Sequence, residues 1–385
     1  MAGWSLVRVA LLSDCYLPRL GGIEVQVHGL AHRLVEAGHE VEVVTATAGE
    51  TRMRTVETDD GVTVHRLPLP VPGAPPVNPF VTGVVRELLR SGRFDVAHAH
   101  MGVVSPFATD LVDLALAGNL PTAVTWHCVI DRSAPLFRVL GHARRWNARG
   151  AALSAVSSMA ATRVAGIAGG AEVQVLGNGI DVAAWRPRSE VVRVDDDVVR
   201  VVSAMRFVRR KRPGALVDVL LAARERLDRS HPHRRLEAHL VGDGPQRRVV
   251  GATLRRHGVD WVDLPGRLTR EQLRDLHGRG DVYLTTARLE AFGIAALEAR
   301  TAGLAVLART GTGVEDFVTD GRDGLLRDSD PSLAAALADL AADRERLEAI
   351  RAHNLATAPA QSWDRVVEAT TAEYARARRL AGVPS

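Results

Sequence analysis

Residues 285–303, TTARLEAFGIAALEARTAG, carry the most informative pattern in the sequence. They follow a short apolar run, 281–284, that is typical of a buried strand, and from Ala291 onward apolar residues recur at helical spacing. Glu290 falls in the loop before the predicted helix, and Glu298 lies about two turns into it. Backbone N–H groups at a helix N-terminus attract anions and hydroxyl groups. The stretch therefore predicts a strand, a loop and a helix with a binding site at the helix start. The alternative is that Glu290 is an ordinary solvated acid and that its spacing from Glu298 has no functional meaning.

Length and composition are typical of a two-domain globular protein. The chain has 385 residues, of which 46% are hydrophobic and 24% charged. A net charge of +4 is mild, and no basic run is interleaved with aromatic residues, so nucleic acid is not an expected partner. Cys15 and Cys128 form neither a disulfide framework nor a metal-ligand pattern, which favours a reducing compartment. We find neither a signal-peptide pattern nor an apolar run long enough to span a membrane, and therefore expect a cytoplasmic protein.

The first half of the chain alternates short apolar runs with amphipathic stretches, which predicts a parallel α/β sheet. Runs at 6–12 and 41–45 flank a helix that ends at Gly38. Gly21 and Gly22 stand in the loop after the first strand, where such a sheet lines its ligand crevice. Glycine there permits close approach to a phosphate, but it equally suits a plain tight turn.

Three histidines follow the predicted central strands. The strand at 95–99 leads to His98 and His100, which the alternation of side chains puts on the same face. His127 comes directly after the strand at 122–126. We interpret His98 as a packing or hydrogen-bonding residue and regard His100, at the strand end, as the better functional candidate. His127 is predicted to act in the site, because residues just past a buried strand lie near the crevice.

Two further segments of the first half are possible interaction surfaces. Residues 133–151 predict one helix with a basic face formed by Arg138, Arg144, Arg145 and Arg149. An ordinary solvated helix is the favoured interpretation, and attraction to anionic lipid is the alternative. The Pro-rich residues 68–79 predict a surface loop and a candidate lid.

The second half repeats the alternation after a polar linker at 188–197. A strand at 199–204 leads into a loop with several cations, including Arg206 and Lys211, which suits a diphosphate but also a solvated surface. From residue 331 the chain predicts helices, with a break near Pro359 after which the last helix packs back on the first half.

These motifs, in this order, resemble family 4 retaining glycosyltransferases, which have the GT-B fold. Residues 290–298 match the family's EX7E signature, and LPRLGGIE, DVAHAH, VTWH, SAVSS, NGID, LVGDGP and LPGRL extend the match over nearly the whole chain. The resemblance implies two Rossmann-like α/β domains with parallel sheets facing a central cleft. It places an acceptor-binding domain at 1–183, a nucleotide-sugar-binding domain at 184–360 and a C-terminal helix, 361–385, on the first domain.

The resemblance also implies catalytic residues. His127 is expected near the reaction centre, and Glu290 is expected to hydrogen-bond the donor sugar. Arg206 and Lys211 are expected to hold the diphosphate in place of a metal ion, so the resemblance implies no metal and no other cofactor. Arg212 follows Lys211 where the family often has glycine, which adds a positive charge to this loop.

Further residues are implied to bind the donor without reacting. They are Gly22, Arg267, Leu268, Phe292, Gly293, Ile294 and Glu298. Gly22 is expected to contact the donor phosphate through its backbone N–H group, and Glu298 to hold the ribose hydroxyls. The amides of 292–294 are expected to assist Glu290, and residues 267–268 to lie beside the base. In this family the configuration is retained and the departing phosphate accepts the acceptor's proton, so Glu290 is not assigned as a nucleophile.

The expected function is transfer of a hexosyl group from a nucleoside diphosphate sugar to a hydroxyl of a lipid, glycan or small-molecule acceptor. GDP-mannose is slightly favoured over UDP-sugars as donor. A sugar-nucleotide epimerase of the same fold and a non-catalytic nucleotide-sugar binder are the alternatives. The sequence does not distinguish a lipid-linked acceptor from a small soluble one. A lipid-linked acceptor would imply peripheral contact with the anionic inner face of the cell membrane.

Overall fold

A computed structural model describes residues 6–71, 73–131, 134–187 and 197–383. The chain divides into two compact units, the first formed by Met1–Gly179 with Trp363–Ser385 and the second by Ile180–Ser362. These divisions lie within a few residues of the predicted boundaries at 183/184 and 360/361. Most of the predicted linker and the first residue of the predicted helix at 133–151 lie outside the described residues.

The first unit is built on an eight-stranded sheet within the described residues. The strands are β1 (Arg8–Ser13), β2 (Glu40–Thr45), β3 (Thr55–Asp59), β4 (Val62–Arg66), β5 (Val96–Met101), β6 (Thr122–Trp126), β7 (Ala152–Ala155) and β8 (Val173–Val175). Their order is β3-β4-β2-β1-β5-β6-β7-β8, and all pairs are parallel except β3 with β4. The central strands are buried on both faces, which explains their nearly continuous apolar sequences.

Helices follow the strands of this sheet. They are α1 (Gly22–Glu36), α2 (Thr82–Arg90), α3 (Pro106–Ala117), α4 (Ala134–Leu140), α5 (His142–Ala148) and α6 (Ser158–Ile167). The prediction of one continuous helix over 133–151 is wrong. Gly141 adopts a left-handed conformation with φ +64° and separates α4 from α5, and the second helix turns Trp146 into the core. The four arginines of this region are exposed, as predicted.

The second unit contains a fully parallel sheet of order β11-β10-β9-β12-β13-β14. Its strands are β9 (Val198–Ala204), β10 (Arg235–Val241), β11 (Val262–Gly266), β12 (Val282–Leu284), β13 (Ala305–Arg309) and β14 (Gly324–Arg327). Its helices are α7 (Val182–Trp185), α8 (Pro213–Ser230), α9 (Arg247–Arg256), α10 (Arg270–Arg279), α11 (Ile294–Thr301), α12 (Asp330–Ala342) and α13 (Arg344–Ala356).

The last helix, α14 (Trp363–Leu380), belongs to the first unit, as predicted. Trp363 packs against the backbone of Gly29 and Gly179, where a Cβ atom at either position would overlap the indole ring. Tyr374 is buried, and its hydroxyl lies 3.0 Å from Nδ1 of His98 on β5. The helix therefore completes the core of a unit whose other elements come from the first half of the chain.

The prediction of two α/β units with parallel sheets is confirmed. Within the described ranges, no helix has both the length and the apolar character that crossing a bilayer requires.

Candidate active site

The cation-rich loop between β9 and α8 is held in place by its own apolar residue. Phe207 is fully buried, and its backbone N–H donates to the Asp243 carbonyl at 2.9 Å. Gly244 lies so close that a Cβ atom there would come within 2.6 Å of the Phe207 carbonyl oxygen. This anchoring leaves Arg206 exposed and puts Lys211 at the end of a short 3₁₀ turn, Arg209–Lys211.

Lys211 meets Glu290, which lies in the segment between β12 and α11. The Nζ atom of Lys211 donates to Oε2 of Glu290, and both side chains are about one-fifth exposed. The structure thus brings together two of the four predicted catalytic residues, which come from positions 79 residues apart. A lysine and a glutamate paired at a solvent-accessible surface can each contact a ligand that carries both phosphate and hydroxyl groups.

Arg212 is turned away from that pair. Its guanidinium donates to both carboxylate oxygens of Asp330, the first residue of α12, and also to the Thr286 carbonyl at 2.9 Å. The backbone of Arg212 is left-handed, with φ +57°, a conformation that glycine adopts readily. The predicted extra positive charge on this loop is therefore neutralised by an ion pair and does not add to Lys211.

The N-terminus of α11 is open, as the sequence predicts. Gly293 precedes it with φ +98°, and no side chain caps the helix. A Cβ atom at Gly293 would come within 2.8 Å of a Val314 methyl group, so a larger residue would also be crowded. Phe292 is buried against Phe317, with ring centroids 5.3 Å apart. Any contact of Phe292 with a polar ligand must therefore come from its backbone, and the N–H groups at 293 and 294 are similarly placed.

Glu298 lies in the middle of α11 in a poorly solvated position. Burial raises the pKa of its carboxyl to about 7, and the positive charge of Arg270 opposes that rise. The Arg270 guanidinium lies 5.5 Å from the ring of Trp185. Arg267, which is exposed, and Leu268, which is partly buried, occupy the segment between β11 and α10. At neutral pH the Glu298 carboxyl can therefore either donate or accept a hydrogen bond.

In the first unit, the three predicted histidines form one cluster. His100 Nδ1 lies 2.9 Å from His127 Nε2, and the His98 and His100 rings are 4.2 Å apart. His98 is also hydrogen-bonded to the hydroxyls of Tyr374 and Thr125, at 3.0 and 2.7 Å. His98 therefore has the hydrogen-bonding role expected of it, while His100 contacts His127 through a ring nitrogen.

The cluster is uncharged at neutral pH. Burial lowers the pKa of His98 to about 3 and that of His127 to about 4, and the nearby side chain of Asn178 partly opposes the shift at His127. Burial and the two neighbouring rings hold the pKa of His100 well below its usual range. Between neutral His100 and His127 only one ring can donate, so the protonation state of one nitrogen determines that of the other.

Gly22 is the first residue of α1, whose N-terminus has no side-chain cap. Glu24 is buried and lies over the backbone of Gly21, and its carboxylate is 3.4 Å from the Arg19 guanidinium. The N-terminus of α1 therefore lies next to a buried carboxylate that the predicted site did not include.

Comparison with known proteins assigns the chain to a family. The model of Glycosyltransferase Family 4 matches residues 20–184, and that of Glycosyl transferases group 1 matches residues 189–355. The D-inositol 3-phosphate glycosyltransferase of Geodermatophilus obscurus is 30% identical over 395 residues, which cover 93% of this chain and 85% of that protein. The chain belongs to glycosyltransferase family 4.

Another relative and a solved structure also match most of this chain and most of their own length. The GDP-mannose-dependent alpha-mannosyltransferase of Mycolicibacterium smegmatis is 27% identical, over 88% of this chain and 90% of that protein. The structure of Anabaena HepE in complex with UDP and glucose superposes with a TM-score of 0.70 at 17% identity, covering 96% of this chain and 99% of the other. At that identity the likeness concerns the fold, and it confirms the predicted GT-B class.

In each unit of this family 4 glycosyltransferase, the structure puts further residues beside the predicted site residues of that unit. They are Glu24, Asn178, Thr286 and Asp330. Glu24 and Asn178 stand inside quoted motifs, G-G-I-E and N-G-I-D, so a signal for them was present. Asp330 lies 118 residues from Arg212, and nothing in the local sequence predicts their ion pair.

Proposed function

We propose that this family 4 glycosyltransferase moves a hexosyl group from a nucleoside diphosphate sugar to a hydroxyl acceptor, with retention of configuration and without a metal ion. The observation that carries the proposal is the pairing of Lys211 with Glu290 beside the uncapped start of α11. This part of the second unit combines a cation that can bind phosphate, a carboxylate that can bind sugar hydroxyls, and backbone N–H groups without a side-chain cap. This combination matches a nucleotide sugar.

In the proposed reaction, Arg206 and Lys211 bind the diphosphate, and Glu290 holds the sugar. The bond from the anomeric carbon to the β-phosphate oxygen breaks, and the acceptor oxygen forms its bond to that carbon on the same face. The acceptor's proton passes to the departing phosphate. Negative charge increases on the leaving group in the transition state, so fixed cations next to it lower the barrier.

The remaining residues have positioning roles in this proposal. Glu298 holds the ribose hydroxyls, which both donate and accept, and a carboxyl with a pKa near 7 can match either role. The segment at 267–268 lies beside the base, and Gly22 contacts the donor phosphate through its backbone. His127 stands near the sugar as a neutral ring, since burial lowers its pKa to about 4.

The names of the relatives narrow the substrates to be tested first. They include a GDP-mannose-dependent mannosyltransferase, D-inositol 3-phosphate glycosyltransferases and phosphatidylinositol N-acetylglucosaminyltransferase subunits. We therefore propose GDP-mannose as the leading donor and UDP-sugars as the second choice. The acceptor panel starts with D-inositol 3-phosphate, as a soluble compound, and phosphatidylinositol, as a lipid.

Product analysis with labelled donors tests the proposal. Each donor is incubated with each acceptor, and products are separated and their anomeric configuration is read by NMR. Transfer with the donor's own configuration supports the proposal, and inversion contradicts the retaining mechanism. An isomerised nucleotide sugar without transfer indicates the epimerase, and unchanged donor that nevertheless binds indicates a non-catalytic protein. Both alternatives are less favoured, because the relatives named above are transferases.

Peripheral binding to anionic membrane is the second part of the proposal, and it applies if the acceptor is a lipid. Val139 is 85% exposed and Leu140 is 43% exposed, next to the exposed arginines of α4 and α5. Exposed apolar side chains flanked by basic ones are typical of a surface that rests on anionic lipid.

A further inference from the structure

Three metal-ligating side chains converge on the outer face of α1. His28 and His32 are four residues apart and share one side of the helix, and Asp59 at the end of β3 faces them. One ligand atom from each residue lies within 4.8 Å of the other two. All three side chains are partly exposed, with values of 32%, 19% and 44%, so that solvent and ions reach them.

The distances between these atoms suit a shared ion better than a direct contact. Oδ2 of Asp59 lies 3.5 Å from Nδ1 of His28 and 3.7 Å from Nε2 of His32. A charge-assisted hydrogen bond is about 2.7–2.9 Å long, so neither contact is one. Four ligands at about 2.1 Å from a tetrahedral ion are about 3.4 Å from each other, which is close to both observed separations.

The tautomer of His32 is set by the helix itself. Nδ1 of His32 lies 2.9 Å from the carbonyl oxygen of His28, and because a carbonyl can only accept, this nitrogen carries the proton. The lone pair of the neutral ring is therefore on Nε2, the atom that faces Asp59. Metal-ligating histidines typically have this arrangement, with the far ring nitrogen bound to a carbonyl or carboxylate.

His28 is also suited to a ligand role. Its Nδ1 atom is the ring nitrogen that lies nearest Asp59, at 3.5 Å from Oδ2 of that residue. In the metal-free protein the Tyr16 hydroxyl lies 3.2 Å from Nδ1 of His28. When Nδ1 binds an ion instead, that hydroxyl is positioned to hydrogen-bond a water molecule on the metal.

We propose that His28, His32 and Asp59 bind one divalent late transition-metal ion, with Zn²⁺ as the best match, and that water completes the coordination. Two imidazoles with one carboxylate favour such ions over Mg²⁺ or Ca²⁺. This proposal departs from the expectation that the chain binds no metal. None of the predicted catalytic residues belongs to the site, and the ion fastens α1 to the β3–β4 edge of the sheet instead of taking part in transfer.

Isothermal titration of the metal-free full-length chain with ZnCl₂ tests the proposal. We expect one tight equivalent and a rise in Tm on loading, because binding to the folded state alone stabilises it. His32→Gln and Asp59→Asn should each weaken binding at least about tenfold. The double variant His231→Gln/His233→Gln removes another adjacent histidine pair, in the second unit, and should bind like the parent.

A second measurement reports on coordination and does not depend on activity. Co²⁺ in place of Zn²⁺ should give the visible absorption of a tetrahedral site in the parent and in the His231/His233 control but not in His32→Gln. Circular dichroism checks that each variant is folded. Absence of a tight equivalent in the parent, or equal binding by parent and His32→Gln, contradicts the proposal. Loss of binding in the control would instead place the metal elsewhere and overturn the assignment too.

Discussion

The guanidinium of Arg212 donates to both carboxylate oxygens of Asp330, at 2.8 and 2.5 Å. This two-point contact joins the loop that carries Lys211 to the N-terminus of α12. A residue with a side chain at φ +57° costs conformational energy that glycine avoids, and the ion pair offsets that cost. The contact also holds Arg212 away from Lys211. We therefore expect Arg212 to position the loop and Lys211 to act on the substrate.

Replacement of Arg212 by glycine should separate these two contributions. Arg212→Gly removes the ion pair but suits the left-handed backbone, so we expect little loss of stability. We expect kcat to fall while KM for the donor changes less, because Lys211 is held less firmly where the leaving group develops charge. Steady-state kinetics and a thermal melt measure both effects.

Asp330→Asn is the partner variant. If the pair acts as a unit, the double variant Arg212→Gly/Asp330→Asn should lose no more kcat than either single variant. Fully additive losses in kcat would show that the two residues act independently and would contradict the positioning role.

Removal of the Lys211 charge should affect turnover more than donor binding. For Lys211→Ala we expect kcat to fall about 10²–10³-fold, the usual effect of removing one electrostatic contact to the transition state. Donor affinity, measured by calorimetry, should change much less. Arg226→Ala, an exposed cation on α8, is the matched control and should behave like the parent. A near-normal kcat in Lys211→Ala would show that the assignment is wrong.

Chelation should leave transfer unchanged. We expect EDTA-treated enzyme to keep its rate, since the cations of the protein replace a metal at the diphosphate. Any Zn²⁺ held by His28, His32 and Asp59 is lost in the same treatment, so a lower Tm at a constant rate is the combined expectation. Loss of activity with rescue by Mg²⁺ or Mn²⁺ would refute metal-independent transfer.

The histidine cluster should make the first unit sensitive to acid. Burial lowers the pKa of His98 to about 3 and that of His127 to about 4, against an ordinary value of 6.5, so the unfolded chain binds more protons below pH 6.5. The free energy of unfolding should therefore have its full value above about pH 6.5. It should fall as the pH drops towards 4, by about 1.4 kcal/mol per pH unit for each histidine. Urea unfolding across this range measures the slope.

His98→Gln is the variant for that measurement, and His233→Gln, an exposed histidine, is its control. The first should flatten the acid slope, and the second should leave it unchanged. Equal slopes in the parent and in His98→Gln would show that the buried ring does not cause the acid sensitivity.

Membrane contact is tested with vesicles at two salt concentrations. Neutralising Arg138, Arg144, Arg145 and Arg149 together should reduce co-sedimentation with anionic vesicles at low salt, by about 1 kcal/mol for each charge near the surface. Binding by the parent should fall at high salt. Activity on a soluble acceptor should persist in the variant. Negligible parent binding at both concentrations would exclude this surface as a lipid contact.

The sequence predicts this fold well where burial dominates. Runs such as the one in β1 are apolar because both faces of a central parallel strand are covered, so their pattern alone identifies them. No strand is predicted at 55–59, because the polar residues of β3 lie at an exposed edge and pair with only one neighbour. The break at Gly141 is also missed, since a single glycine within a helical pattern does not by itself show where the chain turns.

The candidate site was predictable only in part. Glu290 and Lys211 stand in recognisable motifs, and the structure pairs them. The contacts that hold the site in place come from distant positions: Asp330 and Thr286 both accept hydrogen bonds from Arg212. Such partners depend on how the sheets bring loops together, and a single sequence contains no local pattern that reveals them. The catalytic roles of these residues stay predictions until the variants above are measured.

The placement of α14 in the first unit constrains the order in which a ribosome can complete this protein. The first 179 residues emerge early, yet they lack the helix that covers His98 and contacts Gly29 and Gly179. All of Ile180–Ser362 is synthesised before Trp363 appears, so the second unit has its whole sequence while the first still waits for its last helix. The nascent chain therefore exposes an unfinished apolar face throughout the synthesis of Ile180–Ser362, and a chaperone that recognises such faces would bind the first unit during that interval.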